Sequence, residues 1–210
     1  MYLPASFRQD DLGEMHRQIR ATPFALLTSA GTDGVQASHL PLLLEPDEGE
    51  FGTLYGHFAR ANPHWCELRG GAEGLAIFSG PDAYISPSWY PGKAEHGKVV
   101  PTWNYIAVHA RGPVQLIEDR ESLLQIVSRL SDQHEAGRPQ PWAVSDAPDD
   151  YLAAMLRAIV GFALPIRRLE GKWKLGQNRS PADQVGVRQG LAASFDPREQ
   201  ALAARMPITD

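Results

Sequence analysis

Three polar clusters interrupt apolar stretches of this chain, and each carries side chains able to hold a ligand. Ser38-His39 precedes the run Leu40-Pro41-Leu42-Leu43-Leu44. His57-Phe58-Ala59-Arg60-Ala61-Asn62 follows a strand-like segment and leads into a helix-like one. Trp173-Lys174-Leu175-Gly176-Gln177-Asn178-Arg179 closes the last strand-like segment before another helix. The second cluster has the chemistry of an anion site. The planar fork of Arg60 can meet two oxygens of a phosphate, and the backbone N–H groups ahead of Asn62-Pro63 point outward from a helix start. The same residues would equally make a solvated loop with a surface arginine. A fourth segment sets large rings beside polar groups: Trp89-Tyr90-Pro91-Gly92-Lys93 and Val99-Val100-Pro101-Thr102-Trp103-Asn104-Tyr105. Such rings suit a flat aromatic ligand or a subunit interface, or a loop folded over a small core.

Several other chemistries are excluded. No phosphate-loop or dinucleotide glycine fingerprint occurs, and Gly31 and Gly34 sit in a turn-like cluster. No Gly-x-Ser-x-Gly elbow is present. The seven histidines lack paired ligand spacing on a helix, so no metal site is expected. Cys66 is the only cysteine, which rules out an internal disulfide and a cysteine-based zinc site; it reads as a buried structural thiol. Twenty Lys and Arg against twenty-five Asp and Glu give a net charge of −5. A dedicated nucleic-acid binder carries a basic excess instead, and no helix–turn–helix with a basic recognition helix is visible, so direct DNA binding is not expected. Arg167, Arg168, Lys172, Lys174 and Arg179 form a local basic stretch that could serve DNA, a phosphate or a partner's carboxylates. The first ten residues lack the basic and apolar stretches of a signal peptide, and no apolar run approaches the ~18 residues that span a bilayer. A cytoplasmic protein without membrane contact is the expectation.

The elements that must position these clusters can be read from periodicity and punctuation. A helix is expected over Asp10–Arg20, with Leu12, Met15 and Ile19 on one face. Strands are expected over Phe24–Thr28 and Val35–Leu44, joined by a turn at Ala30-Gly31-Thr32-Asp33-Gly34, and then over Gly52–His57. A short helix follows Asn62-Pro63. Strands Leu75–Ser79 and Ala83–Ile85 are expected to break at Gly80-Pro81-Asp82, and Ser86–Pro101 reads as a long loop. A strand region over Asn104–Ile117 bends at Gly112-Pro113. Asp119 caps a helix carrying Leu123, Ile126, Val127 and Leu130, and a second helix over Tyr151–Ile159 turns Leu152, Met155, Leu156 and Ile159 inward. Phe162–Leu175 returns to strand, Ser180-Pro181-Ala182-Asp183 starts a helix, and a last helix covers Pro197–Arg205. Strands joined by tight turns, with helices appended later, make an α+β protein with mainly antiparallel pairing, expected as one domain over 1–210.

The opening Met1-Tyr2-Leu3-Pro4, then Gly56-His57-Phe58-Ala59-Arg60-Ala61-Asn62-Pro63, Tyr84-Ile85-Ser86-Pro87-Ser88-Trp89-Tyr90, Val100-Pro101-Thr102-Trp103-Asn104-Tyr105 and Lys174-Leu175-Gly176-Gln177-Asn178 occur in this order across nearly the whole chain. Together they resemble the PaiB-like family of negative transcriptional regulators, and Val-Pro-Thr-Trp-Asn-Tyr is the most specific piece. The resemblance implies an FMN-binding split β-barrel, mainly antiparallel, with appended helices, and a homodimer that holds FMN at the subunit interface. It implies that Ser38 and His39 border the flavin, and that Arg60 and Asn62, with the Ala59 backbone and His57 beside them, form the loop that receives the phosphate. Ser88, Trp103 and Asn104 would line the ring or ribityl chain. Lys174, Gln177 and Asn178 would approach from late in the chain, from the other subunit.

Three functional classes follow from that resemblance. One is an FMN-binding regulator, as the family is named. Another is a flavin reductase or oxidoreductase using NAD(P)H. The third is a haem-handling split-barrel protein. No general acid or base with an assignable substrate is visible, so the sequence does not assign an enzymatic reaction.

Overall fold

The computed structural model describes residues 1–31 and 34–207. In chain order its elements are β1 (Arg8–Gln9), α1 (Leu12–Ala21), β2 (Phe24–Gly31), β3 (Gly34–Pro41), β4 (Leu43–Glu45), β5 (Thr53–Ala59), α2 (His64–Glu67), β6 (Glu73–Ile85), α3 (Gly92–His96) and β7 (Thr102–Pro113). There follow β8 (Gln115–Ile117), α4 (Arg120–Glu135), α5 (Asp149–Arg157), β9 (Ile159–Pro165), β10 (Arg168–Lys174), α6 (Pro181–Ala192) and α7 (Pro197–Arg205). The chain forms two compact units. The first comprises Met1–Asp11, Ser79–Val108 and Glu170–Asp210, and the second Leu12–Phe78 and His109–Leu169. The turn expected at Ala30–Gly34 includes Thr32 and Asp33, which lie outside the described residues.

In the second unit, β4, β5, β9 and β8 form a four-stranded antiparallel sheet in that order. β2 pairs antiparallel with β3 on one side and with the start of β6 on the other. The register of β5 on β9 sets Gly56 opposite Phe162. A Cβ at Gly56 would stand 2.9 Å from the Phe162 ring and 2.7 Å from Leu42, so this glycine makes room for the ring. Phe162 can then pack on Phe58, with centroids 5.1 Å apart and both side chains fully buried. On the other side of the sheet, α4 brings Ile126 and Leu130 onto Leu43, with Tyr55 and Ile117 at the margin. Asp119 caps α4 as expected, its carboxylate accepting the Ser122 N–H at 2.9 Å.

In the first unit, β1 pairs antiparallel with β10, and β10, β7 and β6 follow in that order. Ser180 caps α6 and Asp196 caps α7, each with proline directly after. These are starts that local chemistry sets. α6 carries Gly186 and Gly190 one turn apart. A Cβ at Gly190 would stand 2.5 Å from the Trp89 ring, and one at Gly186 would stand 2.2 Å from the Trp89 carbonyl. The helix is therefore notched to seat the Trp89 segment.

Several expectations need correction. The Ser86–Pro101 segment is no open loop. It contains a 3-10 turn at Pro87–Trp89 and α3, which ends at Gly97 in the left-handed region with φ 67°. Tyr90 is buried there. Gly80-Pro81-Asp82 does not break β6, which runs unbroken for 13 residues. Its pairing with β2 ends at Ile77, so Pro81 lies beyond that ladder and its missing N–H costs no bond in it. Val35–Leu44 is two strands, not one, because Leu42 separates β3 from β4. In the same way Val114 separates β7 from β8, and Phe162–Leu175 divides into β9 and β10. Cys66 is exposed on α2, where the buried positions are His64 and Trp65.

Candidate functional site

Ser38 points inward from β3, and just beyond β5 the chain turns into α2 at Asn62-Pro63. Asn62 shapes that turn, its side-chain oxygen accepting the His64 N–H at 3.1 Å. His64 is then buried between two hydroxyls. Its Nδ1 lies 2.8 Å from Ser38 Oγ and its Nε2 2.9 Å from Ser29 Oγ. Asn62 Nδ2 donates to the same Ser38 oxygen at 3.0 Å. Burial lowers the pKa of His64, opposed by the nearby Glu67 carboxylate, so a neutral ring is favoured. Ser38, Asn62 and His64 are thus brought together in a network in which both ring nitrogens have partners. His39, the next residue on the strand, faces the other way by the alternation of side chains. It is exposed and stacks on Phe24, with centroids 6.0 Å apart.

Arg60 lies at the exit of β5 in the same unit. Its Nε donates to the Arg157 carbonyl and its Nη2 to the Ile159 carbonyl, both at 3.0 Å, and its Nη1 donates to Glu118 at 2.8 Å. Ala59 is exposed beside it. Arg60, Glu118, Arg120 and Arg157 line a cleft of about 490 Å3 whose floor is Leu123, Ala153 and Leu156. Three guanidiniums share that cleft with a single carboxylate. Arg120 and Arg157 carry no local signal that links them to Arg60; only the tertiary fold brings them there.

His57 is not part of either group. It lines a separate cavity beneath α4 and α5, and burial lowers its pKa.

The remaining expected residues lie in the first unit. Asn104 is buried on β7, and Lys174 ends β10. Lys174 Nζ donates to Thr102 Oγ1 at 2.8 Å and to the Trp103 carbonyl. Thr102, Asn104, Lys174, Asn178 and Arg179 line a small polar pocket of about 130 Å3, with Tyr90 and Phe7. Burial first, then the Lys172 and Arg179 charges, lower the pKa of Lys174. Lys174 and Arg179 give the pocket a cationic lining. Gln177 does not reach the pocket. Its oxygen accepts the Leu175 N–H and its amide donates to the Trp173 carbonyl, closing its own loop. Trp103 stays 55% exposed, edge-on to Tyr84 at 6.1 Å. Ser88 is exposed, bonded to Ser86, and lines a different open pocket against α6. Arg179 was visible in the sequence as the end of the third polar cluster and as part of a basic stretch.

A family model described as "Putative FMN-binding domain" matches residues 1–168. The chain is 30% identical over 206 residues to the Bacillus subtilis protein "Protease synthase and sporulation protein PAI 2", covering 98% of this chain and 96% of that one. It is 32% identical over 226 residues to an uncharacterized protein of Emericella nidulans, covering 91% of this chain and 90% of the relative. Among solved structures it resembles an FAD and haem binding protein from Mycobacterium smegmatis, with TM-score 0.60 and 16% identity over 80% of this chain and 74% of that one. A flavocytochrome from Azotobacter vinelandii matches with TM-score 0.58 and 17% identity over 81% and 70% of the two chains. At such identities the likeness concerns the fold, which is the expected antiparallel split barrel with appended helices.

Proposed function

Since the chain belongs to the FMN-binding domain family, alongside PAI 2 of Bacillus subtilis, we propose that the phosphate of its FMN is held in the arginine cleft of the second unit. FMN is its cofactor. The observation that carries the placement is the surplus of guanidinium over carboxylate around Arg60, at the loop that the family resemblance matches to the phosphate. The donor set fits the group. Bonds to the Arg157 and Ile159 carbonyls hold the Arg60 fork still, and three of its five N–H donors are used in the contacts described. The rest can meet phosphate oxygens without first ordering a mobile side chain. Arg120 and Arg157 add charge from helix ends.

FMN, once bound, supplies hydride and one-electron chemistry, while the protein orients it and tunes its electronics. The polar pocket of the first unit offers what a flavin's carbonyl edge needs: the Asn104 and Asn178 amides beside Lys174 and Arg179. The family resemblance attributes the late-chain contacts to a partner subunit, so we read the functional form as a homodimer. Light scattering should give about twice the single-chain mass of 23.1 kDa, and a mass near 23.1 kDa overturns the dimer.

The cleft is tested by titrating the FMN-free protein with FMN and following flavin fluorescence. Losing a hydrogen-bonded contact to a charged group costs about 1.5–3 kcal/mol. Arg60→Ala should therefore weaken FMN by tens-fold or more, and Arg60→Lys should not restore it, because an ammonium lacks the fork. Unchanged affinity in both Arg60→Ala and Arg120→Ala removes the phosphate from this cleft.

A further inference from the structure

β5 presents His57 and Phe58 to opposite faces. Phe58 is fully buried between Phe162 and His64. His57 faces α4 and α5 instead, where a cavity of about 210 Å3 opens. Its wall is mainly apolar: Val127 of α4, then Leu152, Met155 and Leu156 of α5, closed by Ile159 of β9, with Ser131 of α4 the polar lining residue besides His57 and the Tyr151 and Trp142 rim. Trp142 and Tyr151 form its rim, 47% and 57% exposed, and Met155 stays 44% exposed although the periodicity of α5 turns it inward. The face of α5 that the sequence marks as core therefore borders a space instead of filling one. His57 borders that space, and its Nδ1 is buried with no hydrogen-bond partner.

We propose that this cavity binds a small monocyclic aromatic molecule carrying one hydroxyl group, of the phenol class, with the hydroxyl on His57 Nδ1. Size, lining and polarity each narrow the ligand. An apolar cavity of about 150 Å3 stays dry and accepts benzene, so about 210 Å3 suits one substituted ring. A flat ring suits the aromatic and thioether rim, since rings and thioether sulfur attract one another. An orphaned buried polar atom costs stability until a ligand satisfies it. A hydroxyl serves whichever tautomer the imidazole adopts, because it both donates and accepts. An anionic ring is disfavoured, because its charge would lose water without gaining a cation. The site is distinct from the arginine cleft proposed for FMN phosphate, although Leu156 borders both.

The test uses full-length protein saturated with FMN. Phenol, benzene and benzoate are titrated by calorimetry, and the ¹⁵N shifts of the His57 ring are followed by NMR. Phenol should bind about tenfold more tightly than benzene, the worth of one well-made hydrogen bond, and benzoate more weakly than either. Phenol should move the His57 Nδ1 resonance and benzene should not. His57→Leu should bring phenol and benzene within about twofold of each other, and Val127→Phe, which fills the space, should abolish both. The proposal is overturned if wild-type protein binds neither ring or binds both equally, or if His57→Leu keeps the preference. It is also overturned if phenol binds only when FMN is absent, which would give the cavity to the flavin.

Discussion

His57 and His64 stand seven residues apart, and burial lowers the pKa of both. Yet they do opposite things. His64 is locked between Ser29 and Ser38, with both ring nitrogens bonded and Asn62 completing the set. His57 leaves Nδ1 unsatisfied at the edge of a cavity. A buried histidine whose capacity is used up is part of the architecture, here joining β3 to the start of α2. A buried histidine with capacity to spare lowers stability, and proteins keep such groups where a ligand uses them. Burial and titration alone do not separate the two cases; the partner count does.

Substitution sharpens that contrast. The largest effect is expected for His64→Leu, which strips partners from two buried hydroxyls, and Ser29 and Ser38 are each under a tenth exposed. The loss should be about 2–4 kcal/mol in urea unfolding. His57→Leu removes an unsatisfied group and keeps the volume, so stability should stay within about 0.5 kcal/mol of wild type or rise. Equal losses for the two variants would erase the distinction. The smallest effect is in the pH dependence. Both folded-state pKa values lie below the ordinary 6.5, so the unfolded chain takes up protons first as pH falls. The stability held by neutral rings is complete above 6.5 and declines as pH drops from there toward the folded values. His57→Leu should decline less steeply than wild type over that window, retaining only the His64 part. A slope identical to wild type would mean that folding does not shift the His57 pKa.

Much of the fold was legible because its signals are local. Asp119, Ser180 and Asp196 each cap the helix they precede, and the last helix falls on the expected Pro197–Arg205. A cap and a proline act on backbone groups within one turn, so no distant residue need be known. The antiparallel α+β class followed from tight turns in the same way. Strand ends were less legible. Pro81 sits inside β6 because β2 stops pairing four residues earlier, a matter of register that no segment carries by itself.

The site divides along the same line. Residue types and spacing marked Ser38, His57, Arg60, Asn62, Asn104 and Lys174 as polar positions in apolar surroundings, because a short sequence window shows polarity and alternation. Alternation puts His57 and Phe58 on opposite faces of β5, but which face meets the core depends on where α4 and α5 pack, far along the chain. Only the folded chain decided that Phe58 fills the interior, that His57 borders a cavity, and that Arg120 and Arg157 gather around Arg60. Those outcomes rest on contacts between residues about 60 to 100 positions apart, where chain entropy is lost and packing settles which neighbours meet.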